Sequence, residues 1–189
     1  MIVVEIPFPI DAPGTVVDRV LSHAGERTAF ALLDHVTSPT ALVLPVETIT
    51  TELESRGIPV MIDGAHAPGM LELDIEALGA SWYTGNGHKW ICAPRGAGFL
   101  WARPDRRDGL RPLVVSHGFN LTREGRSRYH DIFDWTGTDD PTPFLSFPAA
   151  IDTIGSMLDG GWPEVRRRNR EMVLQGRGVL TDRLGLPAQ

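Results

Sequence analysis

The sequence predicts an α/β domain with a mainly parallel sheet and helices on both faces. Short apolar runs bounded by turn residues alternate with amphipathic segments, the pattern of strands linked by covering helices. At 189 residues with 42% hydrophobic side chains, the chain is long enough to bury one sizeable core. A carboxylate, Asp63, and an amine, Lys89, also stand at or just past the ends of two of the apolar runs. In an open α/β sheet that is where ligands gather.

The elements follow in order. The opening "IVVEIPF" is strand-like, and "TAFALLDHV" (28–36) reads as a buried strand. "PVETITTELESRG" (45–57) is a helix, with Pro45 near its start and Gly57 at its end. "IPVMIDG" (58–64) is the next strand, "DIEALGA" (74–80) a short helix and "SWYTG" (81–85) another strand. "GAGFLWARP" (96–104) is a further strand that could run antiparallel to the rest. Residues 105–143 are rich in Arg, Asp, Gly, Thr and Pro, and so long an irregular stretch is either functional or disordered. Helices are expected at 143–158 and 162–185, with the arginine run 166–170 as a solvated face of the second.

Composition narrows the function. A formal charge of −6 gives no general attraction to phosphate, which argues against a nucleic-acid or anionic-membrane binder. No run of about 18 apolar residues is present, and the N-terminus lacks a basic region followed by an apolar core. The expected location is the cytoplasm. The single cysteine, Cys92, excludes an internal disulfide and fits a reducing compartment. The histidines do not fall at ligand spacing with cysteines or acids, so no metal site is expected.

Lys89 is the only lysine among eighteen cationic residues, the others all being arginine. Arginine stays protonated, whereas a lysine amine can lose its proton and attack a carbonyl. Lys89 is therefore either a required amine or one leftover surface lysine. Asp63 at the end of "PVMID" either caps the turn "DGAHAPG" or faces a pocket shared with Lys89, and His66 is open to the same two readings. An amine for a Schiff base and a carboxylate for a pyridine nitrogen are the two groups that pyridoxal phosphate chemistry asks of a protein.

"VMIDGAHAPG", "WYTGNGHKWICAPRGAGFLW" and "DWTGTDD" resemble class V aminotransferase-fold enzymes, most closely the isopenicillin N epimerase-like group. The resemblance runs over essentially the whole chain. It implies the C-terminal part of the large domain of a fold type I enzyme over residues 1–143 and linking helices toward a truncated small domain over 144–189. Lys89 would be the Schiff-base lysine for pyridoxal 5'-phosphate and later the base at the substrate α-carbon. Asp63 would partner the pyridinium nitrogen, and His66 the phenolic oxygen. His88, Asn86 and Thr84 would lie near the phosphate, Ser38 and Thr37 near the ring, although an ST-turn closing the strand is equally open to the latter pair. Thr138, in "TGT", would reach a neighbouring subunit's phosphate, which implies a homodimer.

The resemblance also implies parts outside this chain: an upstream phosphate loop and stacking side chain, and a downstream arginine for the substrate carboxylate. The implied reaction is epimerisation of an amino acid or aminoacyl substrate, with a lyase, desulfurase or transaminase as alternatives, or a catalytically silent chain. A desulfurase needs a nucleophilic cysteine, and Cys92, in the strand-like "WICAP", reads as a buried structural thiol.

Overall fold

Three strands, β1 (Ala31–Asp34), β2 (Val60–Gly64) and β3 (Trp82–Asn86), run parallel in the order of the chain, and β4 (Gly98–Ala102) closes the sheet antiparallel to β3. The computed structural model describes residues 1–186, so the last three residues of the expected 144–189 segment lie outside it. β1 and β2 are joined through helix α2 (Val46–Ser55), the crossover that parallel strands require.

The burial of β2 alternates, with Val60, Ile62 and Gly64 on the covered face and Met61 and Asp63 on the other. Helix α1 (Pro13–His23) packs on α2, and α2 packs on β1 and β2. The core formed there contains Val16, Val46, Ile49, Leu53, Val60, Ile62 and Tyr83. On the opposite face Leu32 and Asp34 of β1 are exposed and Met61 and Trp82 are half-buried. At the end of the sheet away from its parallel strand tips, Glu54 gathers three donors: the Val60 amide at 2.9 Å, the Ser81 hydroxyl at 2.7 Å and Arg103 at 3.1 Å. Partly buried polar groups paired in this way fix strand order as well as adding stability.

Four expectations change. The strand-like opening forms no strand, because no described segment pairs with it, and the first element is instead α1, started by Pro13. Residues 74–80 make a single turn rather than a helix: the Asp74 carboxylate accepts from the Ala77 amide at 2.9 Å and Gly79 at φ +69° ends it. One turn without propagation does not repay helix nucleation. The 143–158 helix is two, α5 (Thr142–Leu145) and α6 (Phe147–Gly155), divided at Ser146.

The 105–143 stretch is the fourth. It contains α3 (His117–Asn120) and α4 (Arg128–Phe133), tied to β4 by the Tyr129 hydroxyl, which donates to the Leu100 carbonyl at 2.7 Å. Helix α7 (Gly161–Leu184) carries the arginine run on a solvated face, with Glu164 accepting from Arg167 and Arg168.

Candidate active site

β1 and β2 pair Asp34 with Asp63, and β2 and β3 pair Asp63 with Thr84. Side chains in register on parallel strands share a face, so this row lies on the face opposite the core. Beyond the strand tips the chain forms a recess of about 110 Å³ lined by Asp34, Val36, Ser38, Asp63, Ala65, His66 and Lys89. Four residues singled out in the sequence, Lys89, Asp63, His66 and Ser38, meet there.

Asp63 serves both of its readings. Its Oδ1 accepts from the Ala65 amide at 2.9 Å, capping the turn, and its backbone carbonyl accepts from the His35 amide at 2.9 Å. Its Oδ2 has no protein partner among the described residues, and a cavity-lining carboxylate with a free oxygen is suited to a protonated nitrogen. Burial holds His66 below the ordinary histidine value; Lys89 adds to that lowering, while Asp63 and Asp34 oppose it. His66 therefore feels all three charged groups of the recess.

Lys89 sits in a tight loop after β3. The Cys92 amide donates to the Lys89 carbonyl at 3.1 Å, and the Ala93 amide to the Gly87 carbonyl at 2.9 Å. Gly69, at φ +83°, brings the Asp63 loop against this one: a Cβ there would come within 2.8 Å of the Trp90 carbonyl. Only glycine fits that contact and that backbone conformation. The loop also corrects the reading of Cys92. It is exposed, at φ +59°, because the turn after Lys89 is not a strand and directs no side chain at 92 into the core.

The remaining expected residues lie outside the recess lining. Thr84 is one strand further along the Asp63 row, and Asn86 pairs with Gly98 in the β3–β4 ladder. The His88 Nδ1 is 3.0 Å from the Ala97 carbonyl. Thr37 accepts from the Leu42 amide through its hydroxyl at 2.9 Å, which closes the loop after β1, and Ser38 lines the recess. Thr138 is exposed in the irregular segment before α5.

Asp34 went unread in the sequence, where it passes as the last polar residue of a strand. Its signal was available, since a parallel register that aligns "LLD" with "MID" sets two carboxylates side by side. Together the recess offers one amine, two carboxylates and an imidazole, a donor set that fits the ring end of pyridoxal phosphate. Among the described residues no group of three or more His, Cys, Asp or Glu could hold a metal ion, and no helix is long and apolar enough to cross a membrane.

Comparison with known proteins accords with this geometry. The Aminotransferase class-V family model matches residues 4–170. An isopenicillin N epimerase from Amycolatopsis lactamdurans is 37% identical over 94% of this chain and 46% of its own length, and one from Streptomyces clavuligerus is 36% identical over 92% and 45%. A probable chloroplastic L-cysteine desulfhydrase from Arabidopsis thaliana is 31% identical over 91% of this chain and 37% of its own. The chain thus spans under half the length of these curated relatives. Among solved structures, the apo cysteine desulfurase from Thermococcus onnurineus NA1 superposes with a TM-score of 0.72 at 19% identity, covering 94% of this chain and 43% of that one. The architecture is that of part of the fold type I large domain, and the chain belongs to the class-V aminotransferase family.

Proposed function

We propose that this chain carries the ring-binding half of a pyridoxal 5'-phosphate site in an enzyme acting at the α-carbon of an amino acid or aminoacyl substrate, in the manner of isopenicillin N epimerase. The observation that carries the reading is that the sole lysine shares one recess with Asp63 and His66. The cofactor supplies an electron sink for a carbanion at the substrate α-carbon. Lys89 provides the amine for its covalent attachment and then moves the α-proton. Asp63 holds a proton on the ring nitrogen through its free oxygen, and His66 and Ser38 border the ring. The phosphate roles of Thr84, Asn86 and His88, and the homodimer read from Thr138, rest on the resemblance alone, as does the division at 143, and a cytoplasmic location rests on composition alone. Epimerisation returns the proton to the opposite face, so Lys89 serves one face only.

A second reading, a cysteine-cleaving lyase, is supported by the desulfhydrase relatives, while the exposure of Cys92 three residues past Lys89 bears on a desulfurase, which needs a nucleophilic thiol. A silent chain is the third.

The test is incubation with pyridoxal phosphate, reduction with borohydride and mapping of the modified peptide. A stoichiometric adduct on Lys89 is expected, and its retention elsewhere in Lys89→Arg, or no adduct at all, overturns the reading. Proton exchange at the α-carbon of amino acids, set against sulfide release from cysteine, then separates epimerase from lyase.

A further inference from the structure

Behind the recess, on the covered face of the sheet, lies a polar pair that the proposed chemistry does not use. Tyr83 is fully buried and His35 is 7% exposed. The Tyr83 hydroxyl is 2.9 Å from His35 Nδ1, and the rings meet edge to face at 85°. Neither residue lines the recess.

Tyr83 belongs to β3 and His35 follows β1, so the bond spans the strand between them. It crosses β2 at Gly64. A Cβ at that position would lie 2.1 Å from the Tyr83 Cζ and hydroxyl oxygen, so the tyrosine ring occupies the space a side chain at 64 would fill. The ring is held in turn by Phe99, stacked at 12°, which meets Phe147 edge to face.

What the pair holds is the residue next to Gly64. The His35 amide donates to the Asp63 carbonyl, and the next amide but one, Ala65, donates to Asp63 Oδ1. A hydroxyl and an imidazole buried in an apolar layer cost stability unless they are paired, so an apolar pair of similar size would fill the same space at lower cost. A polar bond there fixes a direction that packing alone leaves free. We propose that Tyr83 and His35 form a strap across Gly64 that positions the Asp63 carboxylate, both acting as positioning residues for the site. This rests on Asp63 holding the ring nitrogen as read above.

The protonation states agree with the geometry. Burial, with Asp63 adding to it, raises the Tyr83 hydroxyl well above the ordinary tyrosine value, and burial lowers His35. A neutral hydroxyl and a neutral imidazole share this bond, with the tautomer of His35 setting which of the two donates. Charged groups facing the pair are Asp63 of β2, on the far side of the sheet, and Glu47, Glu72 and Asp74, which line a second recess that His35 borders.

The strap is tested with Tyr83→Phe, which removes one oxygen and keeps the ring, against Ile62→Val as a packing control on the same face. In the ligand-free chain, exchange of the Ala65 amide is expected to speed about tenfold in Tyr83→Phe and to stay unchanged in the control. Affinity for pyridoxal phosphate is expected to fall by a similar factor, about tenfold. Equal Ala65 exchange in the two variants overturns the strap, whatever happens to the melting temperature. Should Tyr83→Phe fail to fold, His35→Gln is read in the same way. If the unaltered chain binds no cofactor, the cofactor reading fails, and the amide exchange still decides the strap.

Discussion

Asp34 and Asp63 are register partners at the tips of adjacent parallel strands, and both line the recess that holds Lys89. Two carboxylates and one amine leave that recess with a balance of charge that a neighbouring imidazole can report. His66 is that imidazole: Lys89 lowers its pKa, and Asp63 and Asp34 raise it.

Removing either sign should therefore move His66 in opposite directions. Asp34→Asn is expected to lower the His66 pKa and Lys89→Met to raise it. A proton NMR titration of the ligand-free chain measures both. Movement in the same direction, or none, would separate Asp34 and Lys89 from the recess.

Asp63→Asn replaces the carboxylate by an amide of the same shape, which preserves the acceptor for the Ala65 amide and removes the charge. Cofactor attachment to Lys89 should survive, while α-proton exchange slows about a hundredfold or more, the scale on which general acid–base and charge contributions are lost. Exchange into deuterated solvent provides the measurement, and an unchanged rate would remove Asp63 from the ring-nitrogen role.

Gly69→Ala tests whether the two loops of the recess depend on close contact. The added Cβ meets backbone atoms of Trp90 that no rotamer can move, at a φ disfavoured for alanine. The expected result is a loss of stability of about 1–3 kcal/mol by urea unfolding, together with a reduced yield of borohydride adduct on Lys89 in the still-folded fraction. Gly57→Ala, also at positive φ but with open space around its Cβ, should lower stability without lowering that yield.

Much of this was legible in the sequence, for physical reasons that differ by residue. The runs 28–36, 58–64 and 81–85 could be read because a strand covered on one face by helices must be apolar and must end in turn chemistry. Lys89 stood out as a chemical exception to an arginine-only composition. Helix α1 was not read because its apolar residues, Val16, Val17, Val20 and Leu21, follow a strand-like opening whose β propensity goes unused when no strand among the described residues pairs with it. The turn at 74–80 was misread because its apolar spacing is helical and Asp74 caps the Ala77 amide as at a helix start, whereas Gly79 at φ +69° ends it after one turn. Cys92 was misread because apolar neighbours suggest burial, whereas its position is decided by the turn that presents Lys89. The His35–Tyr83 pair was invisible for a different reason: 48 residues separate the two, and only the sheet order brings them together.

The buried imidazole makes a final prediction, on stability against pH. Burial holds His35 in the folded chain below the ordinary value of 6.5, so in the window beneath 6.5 the unfolded chain binds a proton that the folded chain resists. The contribution of His35 is fully present above 6.5 and is lost as pH falls from there through the folded value. His66, lowered in the same direction, adds to the effect. The urea midpoint should accordingly drop between about pH 8 and about pH 5.5, and His35→Gln, which cannot take up that proton, should flatten the drop while keeping the part due to His66. A profile in His35→Gln as steep as that of the unaltered chain would mean that His35 takes up its proton as readily folded as unfolded, and that burial does not hold it neutral.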